Sequence, residues 1–149
     1  MSFIPAPKQR TVTIPLAHSD FTAAGASETI EIWDIPPGAQ VTGIVVQVKE
    51  TPDDIDGDLT NWSLEFGEDA TPDVDAFLTS HDYIADVPQT MESTRGAALT
   101  TTQGMYSTEG ITHLTCTATI VGTTLDDADI DAGQWEVYVT YTQHAFTSL

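Results

Sequence analysis

Basic residues are nearly absent from this chain: four lysines and arginines stand against 23 aspartates and glutamates, a formal net charge of -19 over 149 residues. That balance excludes direct binding to a phosphate backbone, which depends on neutralisation by Lys and Arg. It equally disfavours an anionic membrane surface. Cysteine occurs once, at Cys116, so an intrachain disulfide framework and a thiolate zinc site are both excluded. No apolar run approaches the ~18 residues of a spanning helix. The N-terminal residues carry no apolar signal-peptide core, so the expectation is that the chain stays in its compartment of synthesis unless carried out in an assembly.

What is present is β-forming. A hydrophobic fraction of 40% with 8% aromatics argues for a packed core in spite of the charge. The clearest unit is residues 31–49: a strand ending at Trp33, a corner at Pro36-Pro37-Gly38, and a second strand dense in β-branched residues from Val41 to Lys49. Residues 10–16 alternate Val12, Ile14 and Leu16 with Thr11, Thr13 and Pro15, and the proline predicts an edge or a strand end. In residues 28–33, Ile30 and Ile32 fall on one face, Glu31 and Trp33 on the other.

Further along, residues 59–66 put Trp62, Leu64 and Phe66 on one side. The period then changes. Thr71-Pro72-Asp73 resembles a helix start, and Val74, Phe77 and Leu78 follow at i, i+3 and i+4, which predicts a short helix over 71–78. Residues 97–102 form a weak strand. Residues 111–121 alternate Leu114, Cys116, Ala118 and Ile120 with an outward row of His113, Thr115, Thr117 and Thr119. Residues 134–143 place Trp135, Val137, Val139 and Tyr141 on one face, and their regularity predicts a central strand.

Seven or eight strands separated by turn signals read as an all-β antiparallel β-sandwich, jelly-roll-like, with one short inserted helix. The organisation is an extended N-terminal arm (1–10), a single sandwich domain (11–143) and a short tail (144–149). Strand order is not readable from the pattern.

Candidate sites are few. The arm holds two of the four basic residues, Lys8 and Arg10, with Phe3 and Ile4, so it reads as an element that lies on a neighbouring subunit. Asp54, Asp56 and Asp58 alternate like calcium ligands, but the glycine stands fourth and no glutamate closes the loop. Asp127, Asp129 and Asp131 repeat the spacing with similar departures. Both stretches are therefore read as solvated loops and no cofactor is required, with Ca2+ kept as the alternative, chiefly if both lie at one end of the sandwich. His81 and Asp82 are neighbours without a nucleophile, so they form no triad. Trp33, Trp62, Trp135, Tyr106 and Tyr138 are the aromatics available to a carbohydrate platform. Alternation assigns Trp62 and Trp135 to the core and leaves Trp33 as the glycan or partner contact. With no nucleophile elbow, phosphate loop or metal-binding His pair, the chain is not read as an enzyme.

Three stretches carry a family resemblance: TVTIPLAHSDFTAAGASETIEIWDIPPGAQVTGIVVQV, WSLEFGEDATPDVDAFLTSHDY and ITHLTCTATIVGTTLDDADIDAGQWEVYVTYT. Their order, with a Pro-x-Gly-Ala corner into a valine-rich strand and a closing Ala-Gly-x-aromatic strand, resembles small structural proteins of tailed viruses. The resemblance implies a capsid decoration (cement) protein, oligomeric and often trimeric, partnered by the major capsid protein on the capsid exterior. A tail or head-fibre component is the alternative it leaves open. It brings no catalytic residues.

Overall fold

The computed structural model describes residues 8–21, 27–69, 73–93, 112–122 and 130–143. Among the described residues there are eight strands: β1 Lys8–Ala17, β2 Ser27–Ile35, β3 Ala39–Asp54, β4 Leu59–Glu68, β5 Asp73–Asp82, β6 Met91–Glu92, β7 Thr112–Gly122 and β8 Ile130–Gln143. A single 3-10 turn, His18–Asp20, follows β1. The weak strand expected at 97–102 lies outside the described residues.

Two four-stranded sheets, β1-β8-β3-β6 and β2-β7-β4-β5, hold these strands, with every neighbouring pair antiparallel. The ladders β1·β8, β2·β7, β3·β6 and β4·β5 are those of one long hairpin. Rolling that hairpin until β3 meets β8 and β4 meets β7 gives the observed order, which is a jelly roll. As the sequence suggests, β1 with its Pro15 is an edge and β8 is central.

The corner at Pro36-Pro37-Gly38 carries the chain from one sheet to the other. Ala39 N–H donates to Pro36 O at 3.0 Å, and Gly38 has φ 76°. Proline second and a positive-φ glycine third are what a type II turn requires. Between the sheets lie Val41, Ile44, Val46 and Val48 of β3, Trp62, Leu64 and Phe66 of β4, Leu114, Cys116, Ala118 and Ile120 of β7, and Trp135, Val137 and Val139 of β8. The inward rows read from the alternation are thus the core. Trp62 stacks on Trp135 across the sandwich, centroids 5.5 Å apart.

Four expectations need correction. The helix expected over 71–78 is absent: from Asp73 onward the chain is β5, paired to β4. Ala76, Phe77 and Leu78 are buried consecutively, and the register slips twice between Leu64 and Glu68, so β5 bulges and shows neither period cleanly. Next, β3 does not stop at Lys49 but runs to Asp54, so Asp54 ends a strand instead of sitting in a loop. Third, a bulge between Glu31 and Trp33 inserts Ile32 as an extra residue and turns Trp33 toward the core. Last, the threonine row of β7 is only partly a solvent face. Thr115 and Thr117 are buried, and Thr117 Oγ1 lies 2.8 Å from Thr29 Oγ1.

Candidate functional site

The register brings both chain ends of the described fold together. Lys8 opens β1 directly opposite Gln143, the last residue of β8. Lys8, Gln9 and Arg10 are exposed and extend the edge strand. Only residues 1–7 of the expected arm therefore lie beyond it, and Phe3, Ile4 and the tail 144–149 fall outside the described residues. Nearby, at the corner end of the sandwich, Trp33 packs on Tyr141 across the two sheets, ring centroids 5.0 Å apart. Trp33 is half-buried there, packed against the core.

Beside them is a cluster the sequence did not signal. β2 sets Asp34 opposite His113, and β4 sets Glu68 opposite Leu114, so Asp69 arrives next to His113. His113 Nδ1 lies 2.6 Å from Asp69 Oδ2 and 3.6 Å from Glu31 Oε1, while Nε2 lies 3.5 Å from Asp34 Oδ1. The backbone N–H of His113 also donates to Asp69 Oδ1 at 2.8 Å. The Asp69 hydrogen bond raises the His113 pKa; burial opposes it, and the charges of Asp69, Glu31 and Asp34 add to the rise. Burial pushes the Asp69 carboxyl up, but the hydrogen bonds and charge of His113 outweigh it and leave the group lowered.

Glu31, Asp69 and His113 could share an ion by residue type, since their ligand atoms all lie within 4.8 Å of one another. Two ligands at about 2.1 Å from one ion sit roughly 3 Å or more apart. The 2.6 Å contact is shorter and is a hydrogen-bond separation.

His81 is built in the same way. Nε2 lies 2.7 Å from Asp86 Oδ2 and Nδ1 lies 3.3 Å from Glu92 Oε2. Because β5 and β6 belong to different sheets, His81 fastens one sheet edge to the other. Asp82 points elsewhere and accepts the N–H groups of Trp62 and Ile84. Carboxylates lie beside both ring nitrogens of His81 and of His113, so each imidazole ties neighbouring segments together. Cys116 is fully buried, and burial pushes its thiol well up, which leaves it inert.

No family model matches the chain, and no curated protein matches it. Solved structures do. A chain in the capsid asymmetric unit of cyanophage Pam1 superposes with a TM-score of 0.61 at 18% identity, covering 96% of this chain and 89% of that one. A chain in the acid-stable capsid structure of Helicobacter pylori bacteriophage KHP30 superposes with a TM-score of 0.53 at 10% identity, covering 94% and 95%. The chain has the fold of phage capsid chains. Since the likeness spans nearly the whole of each partner, the jelly roll is the shared unit.

At the opposite end of the sandwich, strand pairing brings Asp131, the described member of the second acidic stretch, beside the first. Asp53 pairs with Ala132 and Asp54 with Ile130, which brings Asp131 in between as an exposed residue. Asp54 is buried, Asp56 is exposed and Asp58 is half-buried, its N–H donating to Asp54 Oδ2 at 2.9 Å. Asp127 and Asp129 lie outside the described residues. His113 with Asp69 was missed because strand pairing, which no spacing in the sequence reports, creates it.

Proposed function

We propose that the chain is a virion structural protein, and within that class a capsid decoration (cement) protein. It sits on the outer capsid surface as a homotrimer, against the major capsid protein. The observation that carries this reading is that one jelly roll accounts for nearly all of this chain and of two chains found in phage capsids. A subunit of this kind draws its free energy from contact area buried at junctions between neighbours, and repetition around the shell compensates for modest single contacts. The charge of -19 argues for the exterior, since a shell interior holds polyanionic nucleic acid.

The arm is the docking element in this reading. Residues 1–7, with Phe3 and Ile4, continue from the exposed pair Lys8 and Arg10 at the sheet edge and lie on an adjacent subunit. The test uses purified particles with and without this protein. Decorated particles should resist heat-induced release of their genome to a higher temperature, and deletion of residues 1–7 should lower occupancy. Absence of the chain from purified virions ends the proposal, and localisation to the tail replaces it with the tail-component reading.

A further inference from the structure

Asp54, at the end of β3, is 6% exposed. One carboxylate oxygen, Oδ2, accepts the Asp58 N–H, while the other, Oδ1, is buried with no hydrogen-bond partner. A buried carboxylate oxygen left unpaired is costly, and native structures supply it with a proton donor or a cation. Lys49, the nearest lysine or arginine in sequence, is held by Glu136 at 3.6 Å.

Asp54 lines a groove of about 220 Å³ together with Thr51, Asp53 and Gly57. Asp53 is exposed, and its Oδ1 accepts the Asp54 N–H at 2.9 Å. The turn that closes the groove needs Gly57, at φ 74°. Oxygen is the only side-chain donor along this lining, which favours a hard cation over zinc or copper. The groove has room for an ion with several waters, each occupying about 30 Å³. An irregular turn with mixed carboxylate, main-chain and water oxygens suits calcium better than the stricter octahedron of magnesium.

We propose that this groove is a calcium site, anchored by the buried Oδ1 of Asp54 with Asp53 as the second carboxylate. The bound ion ties the end of β3 to the start of β4. This inference stands apart from the virion reading and its test does not involve a particle.

The full-length protein, stripped with EGTA, is titrated with CaCl2 against MgCl2 and NaCl at matched ionic strength. Melting temperature is one readout. The other is terbium luminescence excited through Trp135, whose ring packs beside Gly133 and Pro52. Calcium should raise the melting temperature saturably, above either control. Asp54→Asn should abolish that response and melt higher than the parent in EGTA, because it removes an unpaired buried charge yet keeps an acceptor for Asp58. Asp53→Asn, at an exposed position, should weaken binding roughly tenfold or more. A calcium effect no larger than that of magnesium, or the same effect in Asp54→Asn, overturns the site and leaves general screening or a buried water as the explanation. Should Asp54→Asn fail to fold, unchanged affinity in Asp53→Asn overturns it equally.

Discussion

His113 shows what a single side chain can contribute when three carboxylates surround it. Its side chain is 29% exposed, so solvent screens these attractions and the effect on stability is modest. The direction is nevertheless fixed. The hydrogen bond to Asp69 raises the folded pKa above the usual value, which is near 6.5 in an unfolded chain. The contribution of His113 is therefore fully present below about pH 6.5 and is lost as pH rises through the folded value. Asp69 shifts the other way: its contribution is present above about pH 3.9 and is lost as pH falls through its lowered value. Between those limits the pair holds the β2–β7 edge to the turn after β4. His113→Gln should lower the melting temperature more at pH 5.5 than at pH 9, measured by thermal denaturation in one buffer series. A loss of equal size at both pH values would mean that the imidazole serves only as packing.

Among the strands, the two tryptophans form the principal bridge between sheets. Trp62 comes from β4 and Trp135 from β8, and their rings are inclined by 28°. Phe21 meets Trp62 edge-on at 6.1 Å and Tyr83 meets Trp135 edge-on at 6.0 Å, so four rings cross the interior in one run. Substituting each tryptophan by leucine, singly and together, measures the bridge. The double variant should lose less than the sum of the singles, with a coupling of about 0.5–1.5 kcal/mol from urea denaturation. Strict additivity would show that the rings fill volume independently. These tryptophans were legible because each stands on a cleanly alternating strand. β5 was not, because its Thr-Pro-Asp entry imitates a helix start and its three buried residues are consecutive, which fits neither period. Trp33 was misplaced for a related reason, since a one-residue bulge reverses every face beyond it. Asp54 was placed in a loop because the acidic stretch 51–58 reads as a solvated turn, whereas three register slips between Val48 and Asp54 let β3 continue through it.

At the scale of the whole molecule, composition outweighs any one contact. A charge of -19 on a single sandwich makes like-charge repulsion act across the entire surface and oppose the compact state. The reach of that repulsion shrinks from about 30 Å at 0.01 M salt to about 3 Å at 1 M. The melting temperature should therefore climb steadily with NaCl over this range, by differential scanning fluorimetry with EGTA present so that divalent ions do not contribute. NaCl is the right salt, because sulfate would also strengthen apolar burial and confuse the two causes. On the decoration reading proposed above, the same repulsion would act between adjoining copies, and occupancy on particles should rise with NaCl. A melting temperature that stays flat or falls would mean that paired charges such as His113 with Asp69, and not net repulsion, govern the electrostatics of this fold. The surface charge would then require its explanation in what the protein meets and not in how it folds.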